Sequence, residues 1–101
     1  MTTEQLAAKL VKGLKTKHQV IEREGAESWL VEGSSGKTVA QVLLRKSGLI
    51  RLNFSKPVPG MPEGILHESK RGGEKRWTGG AVIVTEDNLA QARELLEEAV
   101  S

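Results

Sequence analysis

Residues 38–54, TVAQVLLRKSGLIRLNF, decide how this chain folds: two apolar runs are separated by Lys46-Ser47-Gly48. Runs rich in β-branched and large apolar residues suit strands, and a short polar break containing glycine joins two of them as a hairpin. In the second run Ile50, Leu52 and Phe54 alternate with Leu49, Arg51 and Asn53. A period of two sends the first set to the core and the second to the opposite face. The first run, Thr38 to Arg45, is apolar on both faces, which predicts a central position in a sheet.

Toward the amino terminus, Val20-Ile21 and Trp29-Leu30-Val31 form short apolar bursts bounded by Gly25 and Gly33, as expected of further strands joined by turns. Before His18 the period changes. Leu6, Ala7, Leu10, Val11 and Leu14 recur at the three-and-four spacing of one helical stripe, with Thr2 or Thr3 as cap, so a helix is predicted from about Thr3 to Leu14. Lys9, Lys12, Lys15 and Lys17 lie off that stripe or beyond it. Their ordinary role is to complement the helix dipole and keep the surface solvated.

Toward the carboxyl terminus, Pro57, Pro59 and Pro62 in KPVPGMPEG forbid both helix and central strand and mark a loop. Ile65-Leu66-His67 reads as a short strand or a helical turn, Ser69 to Gly80 as a glycine-rich basic stretch, and Ala81 to Val84 as a last buried strand. Thr85 is expected to cap a second helix, with Glu86 and Asp87 in its first turn and Leu89, Ala92, Leu95, Leu96, Ala99 and Val100 as its apolar stripe. The order helix, four to five strands, helix predicts an α+β fold. It has one mostly antiparallel sheet, with an N-terminal and a C-terminal helix packed on one face. A doubly wound fold would need strands and helices in alternation. Residues 1–101 suffice for a single domain with one core.

With 38% hydrophobic and 28% charged residues, the chain is neither starved of core-forming groups nor apolar enough for a membrane span, and no membrane partner is expected. Its first residues are polar and acidic where a secretory signal would be basic and then apolar, and it has no cysteine, so a cytoplasmic protein is expected. The formal charge of +2 is unevenly distributed: residues 1–55 carry 9 basic and 5 acidic groups, 56–80 carry 5 and 3, and 81–101 carry 1 and 5. A net charge this small does not drive strong non-specific phosphate binding, so any basic surface must be local.

From Ser28 onward the chain resembles a small bacterial and archaeal domain of unknown function that is often fused behind endonuclease-like domains. Three pieces carry the resemblance: WLVEGSSGKTVAQVLLRKSGLIRLNF (29–54), PEGILHES (62–69) and RWTGGAVIVTEDNLAQARELLEEA (76–99). None is a catalytic motif, so the resemblance implies a fold and an accessory role, not nuclease activity. The family usually has a histidine before the tryptophan and an aspartate after the second glycine; this chain has Arg76 and Ala81. Any function using that pair is lost or altered here.

Other constellations are weaker. Gly33-Ser34-Ser35-Gly36-Lys37-Thr38 imitates a phosphate-binding loop, but that loop needs four residues between its glycines and this chain has two, with Val31 where the first glycine belongs. A hairpin turn is expected instead. His18 and His67 stand too far apart in sequence for a metal motif, and no cofactor or metal is implied. Ser55, Ser69 and His67 show no spacing that singles out a nucleophile and its base, and Glu94, Glu97 and Glu98 read as a solvated helix face.

What remains is Lys70-Arg71-Gly72-Gly73-Glu74-Lys75-Arg76-Trp77. Lysine and arginine bind phosphate oxygens, glycine admits close backbone approach, and tryptophan offers a stacking face worth about 1–3 kcal/mol per base. Arg45, Lys46, Arg51 and Lys56 join this cluster if the hairpin end lies alongside. The alternative places Trp77 in the core, with the charges keeping the loop solvated. The sequence thus points to a non-enzymatic binding or accessory module whose ligand is DNA or RNA. The alternative is a protein-interaction or homodimerisation module that uses an open sheet edge or the stripe of helix 1.

Overall fold

The computed structural model describes residues 2–21, 25–59 and 79–101 of the chain. Helix α1 (Thr3–Val11) is followed by strands β1 (Thr16–Ile21), β2 (Ala26–Glu32), β3 (Thr38–Arg45), β4 (Ile50–Phe54) and β5 (Ala81–Val84), and then by helix α2 (Leu89–Val100). The strands form one antiparallel sheet in chain order, with β3 at its centre. The fold is α+β, as the element order predicts.

Register assigns every strand residue to a face. Trp29, Val42, Leu52 and Val82 stand in one row across the sheet, flanked by the rows Val31–Ala40–Phe54 and Leu44–Ile50–Val84. Leu6, Ala7 and Leu10 of α1 and Ala92, Leu95 and Leu96 of α2 pack on this side and complete the core. Ile50, Leu52 and Phe54 therefore face inward, as their alternation requires. Both helices cover the same face.

The helix ends differ from the sequence reading in two places. Thr2 caps α1 through a capping box: its hydroxyl accepts from the Gln5 amide at 3.2 Å and its own amide donates to Gln5 Oε1 at 3.0 Å. The helix stops at Val11, because Gly13 turns the chain with φ at +78°, yet Leu14 still packs on the core from beyond the turn. The apolar spacing outlasts the helix. At the other end Thr85 does not cap α2, which begins only at Leu89. Asn88 accepts from the Thr85 amide at 2.7 Å and donates to the Ile83 carbonyl at 2.8 Å, so Glu86 and Asp87 lie in a turn before the helix. Arg93 of α2 donates to the carbonyls of Leu10 and Lys12 at 2.9 and 2.7 Å, satisfying acceptors at the end of α1.

Both predicted hairpin turns close as expected. Gly33 and Lys37 bond across one, and Gly36 has φ at +84°; Arg45 and Leu49 bond across the other, and Gly48 has φ at +90°. The Ser34 amide also donates to the Val100 carbonyl at 2.9 Å, which ties the first turn to the end of α2. The segments Ile65–His67 and Ser69–Thr78 lie outside the described residues. Among the described residues no helix is long and apolar enough to cross a membrane.

Phe54 is fully buried whereas Leu49 keeps 39% of its surface exposed. Phe54→Ala is expected to cost about 3–5 kcal/mol in urea denaturation, and Leu49→Ala less than about 0.5 kcal/mol.

Candidate nucleic-acid interface

The same register defines the face that neither helix covers. One row reads Lys17, Leu30, Gln41, Asn53, Ala81; the next reads Gln19, Ser28, Leu43, Arg51, Ile83; a third contains Ile21, Ala26 and Arg45. These rows hold three cations and no carboxylate among the described residues. The carboxylate at their margin, Glu32, is 3.4 Å from the Lys15 ammonium. On the far side of the molecule α2 exposes Glu94, Glu97 and Glu98.

A chain of side-chain hydrogen bonds crosses three strands on this face. Arg51 donates through Nε to Asn53 Oδ1 at 2.9 Å; Asn53 donates through Nδ2 to Gln41 Oε1 at 3.1 Å; Gln41 donates through Nε2 to Ser28 Oγ at 3.0 Å. The first bond lies within β4, and the next two donate from β4 to β3 and from β3 to β2. Flipping either amide alone would set like groups against each other, so the chain fixes both orientations. Ser28 is fully buried and Asn53 only 3% exposed, and burying such groups without partners would cost about 1–3 kcal/mol each.

Arg51 is thereby held through its Nε. Arg45 lies diagonally across from it, two residues beyond Leu43, the partner of Arg51. Burial lowers the Arg51 pKa from the usual arginine value, and the nearby positive charge of Arg45 lowers it further. Among the described residues no carboxylate pairs with Arg45, Lys46 or Arg51. The planar guanidinium fork is of a shape that matches phosphate oxygens.

Of the residues singled out in the sequence, Arg45 and Arg51 are half-buried on this face, and Lys46 is exposed in the adjoining turn. Lys56 is exposed just beyond β4. Lys70, Arg71, Lys75, Arg76 and Trp77 lie outside the described residues. Ser28, Gln41 and Asn53 escape a reading of the sequence; the one signal for them is an amide inside each of two otherwise apolar strands. Lys17, read from the sequence only as one of the solvating cations near the end of the first helix, stands on this sheet face.

Two clefts open at the ends of β2. One, of about 300 Å³, lies by the first turn of α1 and is lined by Ile21, Ala26, Arg45 and Lys46 together with the acids Glu4 and Glu27. The other, of about 270 Å³, is lined by Lys15, Lys17, Leu30, Glu32 and Thr38. On the helix-facing side of β1, His18 stacks on Trp29 with ring centroids 5.0 Å apart and lies 3.9 Å from the Glu27 carboxylate. The histidine is thus engaged by its own sheet. Compared with family models, curated proteins and solved structures, the chain matches none.

If the amide chain holds the face together, Gln41→Ala, which strips the acceptor from Asn53 and the donor from Ser28, should destabilise by about 1–3 kcal/mol. Arg45→Ala, which also relieves repulsion, should change stability by less than about 0.5 kcal/mol. Urea denaturation of both variants checks the contrast.

Proposed function

We propose that this protein is a non-enzymatic module that binds nucleic acid through the sheet face bearing Arg45 and Arg51. The observation that carries the reading is Arg51, oriented by the Asn53–Gln41–Ser28 chain, beside a second arginine with no carboxylate partner among the described residues. The cations are spread over strands and a turn, which suits a polymer of phosphates better than a single small anion. Ser28, the hydroxyl within the rows, is buried and occupied by Gln41, so the face offers donors to a ligand and no exposed nucleophile among the described residues.

Lys70, Arg71, Lys75, Arg76 and Trp77 belong to the proposal on their sequence alone. They would add four cations and a stacking ring to the three cations of the hairpin. The resemblance of residues 28–101 to a domain carried behind endonuclease-like modules accords with an accessory role at nucleic acid.

A second reading, as a protein-interaction or homodimerisation module, draws on β1. This edge strand pairs on one side with β2, and its Val20 is 60% exposed. An edge with free amide and carbonyl groups can accept another strand. A mass that rises with protein concentration would favour that reading.

The nucleic-acid reading is tested by titrating labelled DNA and RNA at about 50 and 200 mM salt, brackets that expose a phosphate-driven contribution. Binding is expected to weaken steeply with salt. Arg45→Ala combined with Lys46→Ala should lower affinity and flatten the salt slope by about 0.7–0.9 for each phosphate no longer neutralised. The combined alanine variant at Lys70, Arg71, Lys75 and Arg76 should act in the same direction. Salt-insensitive affinity, unchanged in both variants, would refute the reading.

A further inference from the structure

Backbone bonds in an antiparallel sheet alternate sides, so each strand residue turns its amide and carbonyl toward one neighbouring strand or toward the other. Bonds at the strand ends fix that alternation through the whole sheet. Glu32 donates to the Lys15 carbonyl at 2.9 Å, Arg45 to that of Leu49 at 2.9 Å, Ser55 to that of Val39 at 3.1 Å and Phe54 to that of Gly80 at 3.0 Å. Lys17, Gln19 and Ile21 therefore bond to β2, while Thr16, His18 and Val20 turn their amides and carbonyls outward. Among the described residues no strand lies beyond them and no side chain bonds to them.

The two edges of the sheet are not alike. On β5 the same alternation turns Ile83 outward, but its carbonyl accepts from Asn88 Nδ2 at 2.8 Å, and the strand has only 4 residues. Edges kept from pairing are short, blocked or charged. β1 has 6 residues, no proline and one lysine. Its helix-facing side is also bare, because α1 and α2 pack chiefly over β3 and β5. Val20 is there 60% exposed, more than Leu49 at 39%, and beside it the exposed His18 stacks on Trp29.

We infer that β1 pairs antiparallel with β1 of a second copy of this chain, across a two-fold axis at Gln19, joining the two five-stranded sheets edge to edge. The inference takes up the edge on which the homodimer reading rests, fixes its occupant and register, and does not depend on the nucleic-acid reading. Three features favour a second copy. With the axis at Gln19, His18 meets the partner's Val20, so residues with outward amides and carbonyls face each other and bond in pairs. Lys17 then stands beside the partner's Ile21, and no like charges are opposed. Val20, bare in one copy, is laid against the partner's His18, which carries the row of Trp29 and His18 across the seam. An axis at His18 has the same bond pattern, but it would oppose two imidazoles and leave Val20 beside a threonine. With Asn88 on the far edge, pairing through β1 closes at two copies and does not grow into a fibre. The axis stands perpendicular to the sheet, so both helix-free faces lie on one side and form a single surface.

The test is sedimentation equilibrium of the full chain without nucleic acid, from micromolar to millimolar concentration. The mass is expected to rise from 11.0 kDa toward twice that value and stop there. The symmetry repeats the contact of Val20 with His18, so Val20→Lys should weaken association by about tenfold or more, and Leu49→Lys by less than about twofold. Both side chains are exposed, so neither change threatens the fold. The register is read with thiols, since the chain has no cysteine of its own. Facing residues of a non-bonded pair have Cα atoms about 4.5 Å apart, within the span of a disulfide. Under mild oxidation Gln19→Cys should therefore cross-link to a covalent dimer well ahead of His18→Cys. Faster cross-linking of His18→Cys would overturn the register. Association that Val20→Lys leaves intact would overturn the β1 edge and leave a homodimer through another surface. A mass of 11.0 kDa at every concentration would overturn the inference and the homodimer reading together, with the nucleic-acid reading unaffected.

Discussion

Val42 on β3 stands between Trp29 on β2 and Leu52 on β4, and this pairing fixes which side of every strand meets the helices. Strand side chains alternate with a period of two, so a slip of one residue would drive Gln41, Arg45, Arg51 and Asn53 into the core and turn Val42, Leu44 and Leu52 outward. The cost of burying two arginines and two amides rules that slip out as firmly as the apolar contacts favour the native register. The core and the polar face are two consequences of one constraint.

That constraint also explains how polar groups can lie in the middle of a sheet. Asn53, Gln41 and Ser28 fall in neighbouring positions on three adjacent strands, close enough for each amide to serve as donor to one partner and acceptor to another. The chain ends on Arg51, held through its Nε. An arginine on a surface strand normally spends rotamer entropy when it binds an anion; here part of that ordering is done by the fold. The proposed role of the face follows from this preorganisation together with the neighbouring Arg45.

The hairpin of residues 38–54 is legible in the sequence because its apolar alternation and its turn are local, and the central place of β3 because it is apolar on both faces. Helix ends are less legible for a physical reason. Leu14 continues the helical spacing while packing from a turn, and Asn88, three residues after Thr85, bonds the Thr85 amide and the Ile83 carbonyl in a turn that delays the helix to Leu89. The hydrogen-bond chain cannot be read at all, since it depends on registers that bring together residues 12 and 13 positions apart in sequence. Of the candidate site, Arg45, Lys46 and Arg51 are visible as charges, but the role of Lys17 is not, because its face is set by its pairing with Leu30. The basic stretch from Lys70 to Trp77 stands out by composition and lies outside the described residues.

The central claim is that the face opposite the helices is the binding surface. Amide chemical-shift mapping with a short thymidine oligonucleotide tests it most directly. Shifts are expected to concentrate at residues 17–19, 28–30, 41–46 and 51–53, with residues 89–100 of α2 unmoved. Shifts confined to α1 and α2, or none at saturating oligonucleotide, would contradict the claim.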